Sequence, residues 1–289
     1  MVIDALRENE VNRVREHYLD ASGKGVNAAR VLVQLGERAA HLTQVGGRDG
    51  ELFSQLVGES GVELIPVSCE SSVRYGHTLI SSEARTTTEI IEEGRPVGAG
   101  VEERVVDAFR DALEGYDAVI ILGSKAPGFS PELFPTLVRD CRDSGIPCVL
   151  DYRGEDLRRS LEHGPLLIKP NFSEFAKTFL DEDVSEQASR GDPEVRRAVE
   201  QRMEEIARQS GAKVIVTRGS APSLYTEGRG VYEMPTERLR PRNTIGCGDA
   251  YTAAAGRALV MGDTLEQAAR AGTAAAAANA RALRPGTIR

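Results

Sequence analysis

Residues 243–259 read NTIGCGDAYTAAAGRAL, two glycines around a cysteine and then an acid ahead of an alanine-rich run. Free backbone N–H groups at a helix start, reinforced by the helix dipole, bind anions. Gly246 and Gly248 let that backbone come close to a phosphate and adopt positive φ. Asp249 then stands at the rim of an anion cradle, placed to take a proton from a hydroxyl. It also has a plainer reading, since acids are favoured in a first helical turn and glycine-rich turns before helices are common. Cys247 has the setting of an activated thiol at a helix N-terminus. No histidine stands near it in sequence and a small side chain is all the turn requires, so a nucleophilic role is set aside.

A second constellation is ASGKGVNAARVLVQLG, residues 21–36. Its glycine spacing fits neither the dinucleotide fingerprint nor the P-loop. It does offer Gly23, Lys24, Gly25 and Asn27 at a helix start, suited to holding hydroxyls or a phosphate. Taken alone, it reads equally as a strand–helix turn carrying an exposed lysine.

The elements that must position these residues follow from periodicity. After residue 100, apolar runs such as YDAVIILGS, IPCVLDYRG, GPLLIKPN and AKVIVTRGS alternate with amphipathic stretches such as PELFPTLVRDCRDSG and PEVRRAVEQRMEEIARQSG, each closed by glycine. Such alternation gives a mostly parallel sheet covered on both faces, with ligands beyond the carboxyl ends of its strands. The first hundred residues differ. Segments near 10–20, 73–80 and 86–92 alternate in the strand sense with many charges and threonines, and predict a small β lid. The stretch 181–194 reads as a surface loop. The alanines of RAGTAAAAANARAL read as close helix packing.

Composition narrows the function classes. At 289 residues, one large α/β domain over 1–289 is favoured over several small ones. A net charge of −8 argues against nucleic acid or an anionic membrane as partner. Anionic substrates must be met by a few placed Lys or Arg residues. Four cysteines form no CxxC pair and have no histidine at metal-ligand spacing, which points to a reducing cytoplasm. MVIDALRENE has neither the basic flank nor the apolar run of a secretory signal.

Together, GKGVNAARVLVQLG and TIGCGDAYTAA resemble the two signatures of the ribokinase-like carbohydrate kinases, the PfkB family. Three intermediate segments are similar to that family in order: LGSKAPG to its Gly-Ser-x-x-Pro-Gly turn, IKPNFSEF to its Lys-Pro-Asn-x-x-Glu, and VTRGSAPSLY to its Thr-x-Gly strand end. EVNRV, GKGVNAARVL and TTTEIIEEG look like the hexose-phosphate branch, which includes 1-phosphofructokinase, tagatose-6-phosphate kinase and the minor 6-phosphofructokinase. The resemblance implies a ribokinase-like three-layer α/β fold and ATP- and Mg²⁺-dependent phosphorylation of a sugar phosphate. Asp249 would be the general base, and the N–H groups of Gly246, Cys247 and Gly248 would stabilise the transferring group. Gly23, Lys24, Gly25, Asn27, Arg74 and Ser124 would hold the sugar phosphate. Asn171, Thr217, Gly219 and Asn279 would border the nucleotide, with Asn171 and Glu174 organising Mg²⁺ through water. Lys125 departs from the family's Gly-Ser-Leu pattern and is expected to point to solvent.

The resemblance starts just after the family's first core strand and its acidic segment, and RALRPGTIR stops where relatives continue into a final helix. Two accounts fit. Either Met1 is an internal methionine of a longer reading frame, or the chain is a truncated or decayed relative that binds sugar phosphate or nucleotide without efficient turnover. A kinase for an unphosphorylated sugar or a nucleoside is a further alternative, and a nicotinamide-dependent oxidoreductase a weaker one. Exposed lid strands would suit a homodimer.

Overall fold

A computed structural model describes residues 1–84, 86–184 and 192–289. In chain order the first half runs β1 (Val2–Ile3), α1 (Lys24–Gln34), β2 (Ala40–Gly46), α2 (Gly50–Gly58), β3 (Glu63–Cys69), β4 (Gly76–Ser81), β5 (Thr86–Ile91), α3 (Val101–Leu113), β6 (Val119–Leu122) and α4 (Leu133–Asp143). The second half runs β7 (Cys148–Asp151), α5 (Glu155–Ser160), β8 (Leu167–Ile168), α6 (Phe172–Phe179), α7 (Pro193–Ser210), β9 (Lys213–Arg218), β10 (Ala221–Thr226), β11 (Tyr232–Met234), α8 (Cys247–Val260) and α9 (Leu265–Arg281).

The main sheet has strand order β11-β10-β9-β8-β7-β6, parallel from β6 to β9 and antiparallel through β10 and β11. Successive side chains of a strand face opposite layers, and both layers here are helical. Val149, Leu167 and Ile215 pack with Tyr251, Ala255 and Ala268 of α8 and α9. Their neighbours Leu150, Ile168, Val214 and Val216 pack with Phe172, Phe175 and Met203 on the other side. Burial on both faces is why these strands read as unbroken apolar runs.

The alanines do pack closely. Ala250, Ala253 and Ala254 of α8 lie against Ala28 and Val31 of α1 and Ala275 of α9. At Gly272 a Cβ would stand 2.5 Å from the Tyr251 ring, so only glycine admits that aromatic between the helices. The glycine stop expected for α7 also holds, with Gly211 closing it in the left-handed region at φ 74°; Asp192 caps its start. Of the expected loop at 181–194, residues 185–191 lie outside the described residues.

The lid differs from expectation in one strand. β4 and β5 pair antiparallel and narrow the expected 73–80 and 86–92 to Gly76–Ser81 and Thr86–Ile91. Residues 10–20, however, form no ladder, only an isolated antiparallel bridge between Val2 and Glu16. Val2–Ile3 takes the place beside β4 instead. Burial explains the exchange: Ile3 is 2% exposed, whereas Val11 would bring almost nothing inside at 85% exposed. β2 and β3 form a parallel pair of their own, and among the described residues β6 has a strand partner only in β7. After α9 the chain continues through residues 282–289 without helix.

Candidate active site

Parallel pairing puts the carboxyl ends of β6 to β9 on one edge of the sheet, where turns can carry chemistry. That edge gathers Gly123 and Ser124 after β6, Asp151 at the end of β7, Lys169 to Asn171 after β8, and Thr217 near the end of β9. An isolated parallel bridge between Asn171 and Thr217 ties the last two together. The N-termini of α1 and α8 supply the rest.

At the start of α8, Gly246 sits at φ 82°, the left-handed region open to glycine, and a Cβ there would be 3.0 Å from the Gly286 nitrogen. The Cys247 N–H makes a long 3.4 Å bond to the Thr244 carbonyl, and Ala250 N–H closes the first helical bond to Gly246 at 2.9 Å. Among the described residues no acceptor meets the N–H groups of Gly246, Gly248 or Asp249. Amides open in this way at a helix start can bind an anion. The Cys247 thiol is held above its ordinary pKa by burial, against a lowering hydrogen bond from Asn279. It stays protonated at neutral pH, which removes the activated-thiol reading.

Asp249 is 5% exposed. Its Oδ2 accepts a 2.9 Å hydrogen bond from Asn27 Nδ2, while its Oδ1 has no donor among the described residues. Burial raises its pKa to about 6, opposed by the Asn27 bond, raised further by Asp151 and opposed again by Lys24 and Lys169. A carboxylate tuned toward neutrality suits general-base work.

The floor beside it is a charged network. Asp151 Oδ2 lies 3.1 Å from Lys169 Nζ and accepts a 2.6 Å bond from Thr252 Oγ1. Lys24 Nζ lies between Asp151 Oδ1 at 3.8 Å and Glu174 Oε1 at 3.9 Å. Burial lowers the Lys24 pKa, but the carboxylates of Asp151, Glu174 and Asp249 outweigh it and the net shift is upward. Lys24 therefore stays cationic beside Asp151 and Glu174, with the buried Lys169 on the other oxygen of Asp151.

Several expected residues land elsewhere or in other roles. Asn27 is 2% exposed and spends its amide on Asp249, so it orients that carboxylate. Asn171 and Glu174 form a reciprocal capping box on α6, through Asn171 Oδ1 to Glu174 N at 2.8 Å and Glu174 Oε2 to Asn171 N at 3.0 Å. Asn279 is 0% exposed with its amide engaged by the α8 turn and by the Gly286 and Thr287 backbone. Arg74 is exposed on the lid with one 3.5 Å contact to the Glu92 carbonyl. Ser124 and Gly219 are exposed, and Thr217 N–H bonds Pro170 O at 3.2 Å. Gly23, with φ 128°, precedes α1, and a Cβ on Gly25 would meet the His41 ring at 2.4 Å. Lys125 does not point to solvent. It binds Asp156 Oδ1 at 2.7 Å and the Ser130 carbonyl at 2.8 Å, over the Phe134 ring, because α4 and α5 close above it.

Asp151, Lys169 and Thr252 were not anticipated. An acid ending an otherwise apolar strand and a lysine inside IKPN are the available signals, whereas nothing in the sequence marks Thr252.

No group of three or more His, Cys, Asp or Glu residues that could encage a metal occurs among the described residues. A hard divalent cation carried by phosphates needs only one or two protein carboxylates. Glu174 Oε1 and Asp151 Oδ1, both ion-paired with Lys24, would have to supply them.

The model of the family described as pfkB family carbohydrate kinase matches residues 1–288. The chain belongs to that family. It is a carbohydrate kinase, dependent on ATP with a divalent metal. Solved structures share the fold. A possible 1-phosphofructokinase of Thermotoga maritima is 22% identical, with TM-score 0.85 over 98% of this chain and 88% of that one. Phosphofructokinase-2 of Escherichia coli in complex with fructose-6-phosphate is 22% identical, with TM-score 0.80 over 96% and 88%. Its tetrameric inhibited form is 23% identical, with TM-score 0.81 over 96% and 89%.

Proposed function

We propose that this pfkB-family kinase transfers the γ-phosphoryl group of ATP to a hydroxyl of fructose 1-phosphate, fructose 6-phosphate or tagatose 6-phosphate, with Asp249 as general base. The observation that carries this reading is the pairing of Asp249 with the open amides of α8. One carboxylate oxygen is held by Asn27 and the other is open, beside N–H groups that have no acceptor. The acceptor hydroxyl gives its proton to Oδ1 of Asp249 as its oxygen bonds to phosphorus. The bond from phosphorus to the bridging oxygen breaks, and that electron pair leaves with ADP. Such transfer depends on positioning and charge neutralisation more than on covalent help. The amides of Gly246, Cys247 and Gly248 would meet the charge of the transferring group.

Lys24, with Gly23 and Gly25, would hold phosphate at the start of α1, and Arg74 would pair with the sugar's fixed phosphate when the lid lies over it. Ser124 would add a hydroxyl at the sheet edge, and Thr217 and Gly219 would border the nucleotide. Mg²⁺, held by Glu174 and Asp151 and through water by Asn171, would neutralise phosphate charge. The complex of the Escherichia coli relative with fructose-6-phosphate favours a sugar phosphate over a free sugar. Ile90 and Ile91, 59% and 51% exposed on β5, support a homodimer through the lid.

The test is Mg²⁺-dependent ADP release with the three esters, with ribose and adenosine as comparison acceptors. Turnover confined to one ester supports the proposal and names the substrate. Turnover only on ribose or adenosine moves the chain to another branch. Ligand-induced thermal stabilisation with no ADP would mean binding without transfer.

A further inference from the structure

Asn279 of α9 is fully buried, and its amide is spent on two separate segments. Its Nδ2 donates to the Ile245 carbonyl at 2.8 Å and approaches Cys247 Sγ at 3.4 Å. Its Oδ1 accepts from the backbone N–H of Gly286 at 2.7 Å and of Thr287 at 3.3 Å. The first segment is the turn that opens α8. The second is the end of the chain, and it is itself strapped to α1. Arg30 Nη1 donates to the Pro285 carbonyl at 3.0 Å, Gln34 Nε2 to the Gly286 carbonyl at 2.7 Å, and Ile288 N–H to Gln34 Oε1 at 2.8 Å. A Cβ on Gly286 would lie 2.9 Å from the backbone of Asn27, so the strap runs directly under the residue that holds Asp249.

The connection is thus continuous: Asn27 on α1, the 285–288 strap, Asn279, and the Ile245–Gly246 peptide that turns the cradle amides outward. We infer that Asn279 is a positioning residue. It fixes the α8 cradle, through the strap, in register with the Asn27–Asp249 pair, without touching the nucleotide. This rests on the kinase reading for its consequence in turnover, but not for its consequence in the cradle. Two facts favour positioning over packing alone. An apolar residue of the same size would fill the space equally well, yet the site uses both ends of an amide. And the carbonyl it caps belongs to the residue just before Gly246, where a peptide rotation would re-aim the amides.

The experiment compares Asn279→Leu and Asn279→Asp with the parent. Asn279→Leu keeps the branched shape and loses all four contacts of the amide. Asn279→Asp keeps the acceptor for Gly286 and Thr287 but loses the donor to Ile245. Binding of Mg²⁺-ADP by calorimetry, amide exchange of residues 244–249, and KM for ATP and for the sugar phosphate are measured alongside Tm. Positioning predicts that both variants weaken ADP by about tenfold, about 1.4 kcal/mol. They should also raise KM for ATP similarly, speed exchange in 244–249, and leave KM for the sugar phosphate within about twofold. Exchange at 286 and 287 should quicken in Asn279→Leu and much less in Asn279→Asp. If Tm falls while ADP affinity and exchange in 244–249 stay at parental values, Asn279 is only packing and the inference fails. A parent that binds ADP but turns over no sugar would defeat the kinase reading while leaving the ADP and exchange comparisons to decide this one.

Discussion

Replacing Asp249 by asparagine should abolish most activity and at the same time make the protein more stable. The buried carboxylate has its pKa raised from 3.8 to about 6, mainly by loss of water. A folded-state pKa above the unfolded one means the native state binds the proton more tightly. Ionisation then opposes folding once pH exceeds the unfolded value, and the full penalty is reached above about pH 6. The shift is about 2 units, which makes the penalty about 3 kcal/mol. Asparagine removes that charge and can turn its carbonyl toward Asn27 Nδ2, keeping the 2.9 Å bond. At about 2 cal/mol/K per residue of unfolding entropy, 3 kcal/mol corresponds to a rise of about 5 °C in Tm. Thermal unfolding of parent and variant between pH 4 and 8 measures it. The gain should be full at pH 7–8 and shrink as pH falls from 6 toward 4, where the parent carboxyl is protonated too. Turnover should fall by roughly two to four orders of magnitude, with ATP binding retained. A variant no more stable than the parent at pH 8, or a gain that does not change with pH, would refute the claim that a desolvated base occupies this site.

The same ionisation should place the acid limb of kcat/KM near pH 6 in the parent, with activity rising as Asp249 deprotonates; a limb near 4 would mean an unperturbed carboxylate. Gly25→Ala should lose stability and activity together, because its new methyl meets the His41 ring at 2.4 Å. His41→Ala in the same chain should recover most of that loss, read as a coupling energy in a double-mutant cycle. Ile90→Lys on the exposed β5 should shift a lid dimer toward monomer in sedimentation without lowering Tm by more than about 1 °C, since surface substitutions usually stay within about 0.5 kcal/mol. A parent that sediments as a monomer at working concentration would remove the dimer.

Most of the second half of the fold was legible because its signals are local. Apolar runs such as CVLD and KVIVTR, with glycine stops between them, specify buried strands and helix ends without knowledge of neighbours. The lid was harder to read. Charged, alternating residues at 10–20 have the period of a strand, but a strand also needs a partner and something to bury, and Ile3 competes better for the place beside β4. Lys125 misled for a related reason, since a lysine after a strand looks solvated until α4 and α5 bring Asp156 and Phe134 to it.

The sequence by itself determined that residues 243–249 and 21–27 each make a small-residue turn into a helix, because glycine spacing and helix periodicity are properties of a few consecutive residues. Only the tertiary structure decided what those turns do to one another. It set Asn27 against Asp249 across 222 positions of chain and brought Lys169 and Thr252 onto Asp151. It also turned Asn279 inward to hold the cradle rather than outward to a ligand. Burial, which raises the pKa of Asp249, and hydrogen-bond partners, which orient it, depend on what other segments exclude and supply, and no local pattern encodes them.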